Sequence, residues 1–439
     1  MKLFDKKHIL ELLKLSLPMV MGNLGMVLIT AGDCFVAGRY STHALAAISI
    51  ATSLQATVWV LGVGLLISIS PILSNIRGAK CPAKKYFFPT VRFSMLVAFV
   101  LMLATLGYIP LLKYLGYEPQ LLHDVQVYTF IVAFSTYGMF LLFALKEFLQ
   151  SYEIVFVPNF IMVVSVILHV VLNFILVFGL FGCHAFGLVG LAISSLLVRT
   201  LSGIILYVYC LYRFSFQDFC DTHYYKQLLK VGLPISMAIM IEFLSFNSIA
   251  ILLGRIAGIY AAAQSIILAL ANTAFMVPLG LSNAIAVKVG YANGAKDFKE
   301  MVAYSKNGIF LSILFMSFAS CVFAIFPRQL ASIFTTDKAL IATIVPSMFV
   351  VAAFQISDGI QVALGGVFKG LKKTKVVMFS NLIAYLMIGV PFGYTCALHF
   401  KQHLFAYWAA FSSSSFLLSG ILIVILTLTL RKLKKSFVV

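Results

Sequence analysis

Apolar residues run along this chain in long blocks, separated by short polar stretches that carry most of the Lys and Arg. Segments such as Phe310 to Phe326 and Phe416 to Leu430 hold no charge at all. A hydrocarbon core of ~30 Å asks for ~20 such residues in a helix. On that basis the blocks predict twelve helices, near 11–37, 44–75, 86–112, 124–149, 155–181, 185–212, 227–253, 259–290, 302–326, 340–368, 376–398 and 404–430. The fold class this implies is an all-α integral membrane protein.

Composition excludes the soluble alternative. The 439 residues are 62% hydrophobic and 10% charged, with a mean hydropathy of +1.04, too few charges to build a water-facing surface. The formal net charge of +18 does not point to nucleic acid, because the excess sits in short clusters flanking apolar helices, such as Arg77 to Lys85 and Arg431 to Lys435. Membrane topology and anionic lipid head groups account for it. Of the 32 Lys and Arg, 25 fall at the N-terminus, in the even-numbered loops and in the C-terminal tail, which places both termini in the cytoplasm. Lys2, Lys6 and Lys7 before an apolar run resemble the start of a signal peptide, but no small-residue cleavage site ends that run, so an uncleaved first helix is expected. The seven cysteines (34, 81, 183, 210, 220, 321 and 396) show no metal-binding spacing and read as apolar filler.

Against this background three carboxylates stand out. Asp33, Glu242 and Asp358 lie inside apolar runs of a chain with only 14 acidic residues. A charge at a helix centre in hydrocarbon costs at least ~2.5 kcal/mol, so such a group needs a partner, a water-filled cavity or a cation. Asp33 lies fifteen residues beyond Pro18, towards the periplasmic half, and Glu242 eight beyond Pro234, near the midplane.

The chain also matches itself at a shift of 216 residues. Leu17-Pro18 falls on Leu233-Pro234, Gly38-Arg39 on Gly254-Arg255, and Gly78-Ala79-Lys80 on Gly294-Ala295-Lys296; residues 12 to 80 give 21 identities in 69 positions. Two halves follow, 1–212 and 227–439, joined by a linker over 213–226. Each has six spans, so the copies share one orientation as two pseudo-symmetric six-helix bundles, an arrangement that suits alternating access. The carboxylates break the repeat: Asp33 aligns with Ile249 and Glu242 with Met26. Chemistry is placed differently in each half.

The Leu-Pro pair opening both halves, the segment Ala31 to Arg39 (AGDCFVAGR) followed by Ala44 to Ala47 (ALAA), the repeated Gly-Ala-Lys, and Gly187 to Gly190 (GLVG) together resemble multidrug and toxic compound extrusion (MATE) transporters. Glu242 with Gln355 to Val362 (QISDGIQV) is similar to the NorM branch. The resemblance implies a MATE-type fold in a bacterial cytoplasmic membrane. It implies export of cationic or amphipathic drugs, driven by H⁺ or Na⁺, with no cofactor and no enzymatic activity. By the same resemblance, Asp33, Asn173 and Ser195 form a cation-coupling site in the N-lobe and Glu242 with Asp358 one in the C-lobe. Phe275 and Phe354, with Asp33, would face the drug, and Na⁺ would sit at Glu242 and Asp358 or at Asp33 and Asn173. Where some relatives carry oxygen ligands this chain has Val177 and Phe354, which favours H⁺, since a proton needs one carboxylate and Na⁺ several oxygens.

Other ionisable groups have duller expectations. His169 is a proton relay or a packing residue, Arg199 snorkels to the cytoplasmic interface rather than binding substrate, and Lys146, Glu147 and Glu153 are interfacial or form a gate. Pro278 and Pro391 are candidate bending points. The rival functions are a lipid-linked oligosaccharide flippase, for which an interior rich in Arg and Lys is expected, and a membrane enzyme, for which no catalytic constellation is found. One chain holds both halves, so a monomer suffices; small-molecule drugs and the bilayer are the expected partners.

Overall fold

The computed structural model describes residues 5–182, 184–214, 221–400 and 403–438. Lys2, Cys183, Cys220 and residues 215–220 of the expected linker lie outside the described residues. Among the described residues, twelve helices are long and apolar enough to cross a membrane. In order they are α1 (Lys6–Tyr40), α2 (Thr42–Gly78), α3 (Ala83–Leu115), α4 (Pro119–Ser151), α5 (Phe156–Phe178) and α6 (Leu188–Arg213), then α7 (Thr222–Gly254), α8 (Gly258–Gly294), α9 (Phe298–Ile325), α10 (Lys338–Gly370), α11 (Thr374–His399) and α12 (His403–Lys435). Each matches a predicted apolar block. Several run past it, because a helix continues into the polar interface where hydropathy no longer marks it.

The chain divides into two compact units, each discontinuous in sequence. The N-unit comprises Met21–Leu73 and Pro82–Ser236; the C-unit comprises Met1–Val20, Ser74–Cys81 and Met237–Val439. Thus α1 and α7 each pass from one unit to the other. Their break points, after Val20 and after Ser236, are separated by the repeat length of 216.

In the N-unit α4 is the central helix, packed against α2, α3 and α6. An apolar core of Val36, Ala47, Val132, Val177 and Leu191 joins α1, α2, α4, α5 and α6. Helix α5 shows how a membrane inverts amphipathicity. Its buried face carries Asn159, Ser165, His169 and Asn173, while Phe160, Val164, Ile167 and Val171 are exposed on the other. Apolar side chains are at no disadvantage in lipid, whereas polar ones must find partners inside the protein. Helix α2 is interrupted at Ser68, between Thr42–Ile67 and Ile69–Gly78. Pro71 has no N–H to give to the Ile67 carbonyl, which frees the turn; the aligned residue Val287 leaves α8 unbroken.

In the C-unit α10 takes the central place, against α8, α9 and α12. The end of α2 docks here: Asn75 Nδ2 donates to the Gly370 carbonyl at 2.9 Å and Asn293 Nδ2 donates to Asn75 Oδ1 at 2.6 Å. A Cβ on Gly78 would collide with the Tyr291 carbonyl, and one on Gly294 with the Asn75 carbonyl. Both contacts pair the same two aligned positions, with the copies exchanged. Helix α11 contains a π-helical stretch, Leu382–Gly389, where the Val390 N–H reaches back to the Tyr385 carbonyl just before Pro391. Wide turns of this kind are rare and mark irregular, often functional, positions.

The repeat persists in backbone detail. Lys80 and Lys296, 216 apart, both adopt positive φ (58° and 56°) after their helices end. A second pair, Glu153 after α4 and Lys372 after α10, does the same at 64° and 56°. That pair is 219 apart, so the copies have slipped by three residues between the second and fourth helix of each half.

Candidate ion-coupling sites

Asp33 lies on α1 in the N-unit and is 3% exposed. The adjacent Gly32 lets α1 press on α5, since a Cβ there would approach Val170 Cγ2 to 2.9 Å. Two nitrogens from the buried face of α5 meet the carboxylate at one oxygen. His169 Nε2 and Asn173 Nδ2 each lie 2.7 Å from Asp33 Oδ1. From α6, Ser194 Oγ donates to the His169 carbonyl at 3.3 Å and sits 3.5 Å from Nδ1 of the same ring. Asn173 Oδ1 is buried and makes no hydrogen bond. Tyr128 of α4 lies beside Ser195 and within electrostatic reach of Asp33. Asp33 and Asn173, expected together, are together; Ser195 on α6 lies against Tyr128.

The structure corrects two expectations nearby. Arg199 does not snorkel: its guanidinium donates to Ser135 Oγ at 3.0 Å and stacks over Trp59 at 4.7 Å, within reach of Asp33 and Tyr128. A partner inside the unit outcompetes a long reach to the interface. Lys146 and Glu147 are likewise buried rather than interfacial, with Lys146 Nζ donating to Asn23 Oδ1 at 3.3 Å and Gln150 Nε2 donating to Glu147 Oε2 at 3.4 Å.

In the C-unit a single amide organises the other two carboxylates. Gln361 Nε2 donates to Glu242 Oε1 at 2.7 Å and to Asp358 Oδ1 at 3.0 Å, bringing α7 and α10 together. Asp358 and Gln361 are buried, and Glu242 is half-buried. Beneath them Ser357 Oγ donates to Ser415 Oγ at 2.9 Å, which is 3.3 Å from the Tyr385 hydroxyl. Phe354 is 2% exposed, its ring edge-on to Phe246 and Trp408, so it supports α10 from behind and presents no open face. Phe275 on α8 is half-buried.

Residue reasoning did not assign roles to Gln361, Ser194, Tyr128 or Tyr385. Gln361 was within sight, three residues after Asp358 and hence on the same helix face. Tyr128 and Tyr385 carry no such mark, being two among 19 tyrosines. No group of three or more His, Cys, Asp or Glu suited to a metal ion occurs among the described residues.

The sequence pattern of the MatE family matches residues 18–175 and 234–395, one stretch in each half. The chain belongs to the MatE family. This MatE chain is 29% identical over 422 residues to the probable multidrug resistance protein NorM of Bacillus subtilis (strain 168), covering 92% of each chain. It is also 29% identical over 435 residues to that of Mesorhizobium japonicum, covering 95% of this chain and 93% of the other. A solved MATE in complex with MaL6 shares the fold, with a TM-score of 0.89 and 18% identity, covering 98% of this chain and 97% of that one. The all-α twelve-helix fold and the family that the motifs resemble are both borne out.

Proposed function

We propose that this MatE protein is a multidrug efflux antiporter of the bacterial cytoplasmic membrane, exporting cationic or amphipathic compounds by alternating access in exchange for H⁺ or Na⁺. The observation that carries this reading is the pair of buried carboxylate sites, one in each unit, held by amide and imidazole groups. A carboxylate buried among such partners is a place where a small cation is gained or given up. Asp33, with Asn173 and Ser195 beside it, serves as the N-lobe coupling group. Glu242 and Asp358 serve as the C-lobe pair, with one Gln361 amide nitrogen at bonding distance from both. Were the ion Na⁺, Glu242, Asp358 and the Gln361 carbonyl would hold it, since a hard cation takes several oxygens. Phe275, half-buried on α8, offers a ring face to a cationic drug.

The flippase alternative is less well supported. The ionisable groups at both sites are centred on acids, and the relatives are named multidrug resistance proteins. Both termini are cytoplasmic on this reading, one chain is the working unit, and the ligands are the drug and the coupling ion, with no cofactor and no nucleic acid.

The test is ethidium efflux from proteoliposomes under a pH gradient and a Na⁺ gradient imposed separately. Efflux should follow one gradient and drop by about tenfold or more, ~1.4 kcal/mol of coupling, in one or more of Asp33→Asn, Glu242→Gln and Asp358→Asn. Efflux indifferent to both gradients and to all three substitutions would overturn the reading.

A further inference from the structure

The N-unit site pairs a carboxylate with an imidazole and an amide. A ring nitrogen and a carboxylate oxygen 2.7 Å apart hold a hydrogen between them, whichever group carries it. The ring cannot easily turn away, because α6 brackets its far side through Ser194. Both groups are nearly sealed from solvent, His169 at 1% and Asp33 at 3% exposure. Beside them, Asn173 Oδ1 is a buried oxygen without a hydrogen-bond partner, and Ser195 lies against Tyr128. Buried polar atoms left unpaired are uncommon and costly. With the Asp33 carboxylate, Asn173 Oδ1 offers oxygen to a small cation, and the imidazole stands on the carboxylate such a cation would share. Val177, one turn beyond Asn173, is fully buried and contributes no oxygen. The other ionisable groups facing Asp33 are Cys34 on α1, Tyr128 on α4 and Arg199 on α6, and the Arg199 cation opposes a further positive charge.

We propose that His169 determines the ion specificity of the Asp33 site: its imidazole takes the position on the carboxylate that Na⁺ needs, so the hydrogen shared by the pair balances the acid and Na⁺ is turned away. This rests on Asp33 being a coupling carboxylate. It makes His169 a positioning and selectivity residue, not a packing one.

The measurement is radioactive Na⁺ binding to the full chain in nanodiscs, with the C-unit acids neutralised by Glu242→Gln and Asp358→Asn so that only the N-unit is read. With His169 present, no saturable binding should depend on Asp33. Adding His169→Asn, or His169→Ser as a second variant, should strengthen Na⁺ binding by about tenfold or more, and Asp33→Asn should abolish the gain. Asp33-dependent Na⁺ binding with His169 in place, or no gain in either His169 variant, would overturn the proposal. A purely structural histidine would lower stability without changing which ion binds. Ethidium efflux that ignores both gradients in the otherwise native chain would sink the transport reading and leave the binding comparison to be judged separately.

Discussion

One amide nitrogen, on Gln361, stands between the carboxylates of Glu242 and Asp358. Hydrogen bonds to charged groups are each worth about 1.5–3 kcal/mol, and here one donor serves two acids. Gln361→Leu keeps the bulk and removes the donor. We expect a lower thermal unfolding midpoint, and a loss of drug efflux of about tenfold or more as 1.4 kcal/mol is forfeited. Unchanged efflux would mean that the bridge is incidental to transport. The three carboxylates were legible in the sequence because hydrocarbon makes any acid conspicuous. Their partners were not, since Gln, Ser and Tyr carry no charge, and whether they face an acid or a carbonyl depends on which helices meet. Arg199 shows the same limit: its position predicted an excursion to the interface, and the tertiary contact with Ser135 and Trp59 decided otherwise.

At the scale of the helix, apolar runs located all twelve spans, because a bilayer imposes its thickness on every one of them. Interruptions were harder to see. Pro71 breaks α2 whereas Pro278 sits inside a continuous α8, so proline alone does not mark where a helix yields. The π-helical turns of α11 had no signal beyond Pro391. Close approach of helix ends is more readily tested. Gly78→Ala or Gly294→Ala forces a methyl into a backbone carbonyl, and overpacking of this kind costs about 1–3 kcal/mol. Each substitution should lower the unfolding midpoint in detergent. Because both act on one contact, the double variant should lose less than the sum of the two.

For the molecule as a whole, the distribution of Lys and Arg carries a topological prediction. A single cysteine at Lys435, in a background without other cysteines, should react with an impermeant maleimide only when the cytoplasmic face is accessible, and one at Lys338 only from the opposite face. Reaction of both from one side would contradict the twelve-span arrangement with cytoplasmic termini. The exchange of α1 and α7 between the two units was not legible in the apolar pattern, which treats each helix as one piece, although the break points obey the repeat. The contact in which Gly78 meets Tyr291 and Gly294 meets Asn75 has a historical consequence. Residue i touching j while j touches i is the form in which two identical subunits associate about a two-fold axis. The duplication that gave this chain thus joined two copies whose matching helix ends meet as the subunits of a two-fold dimer do, each offering the other the same face.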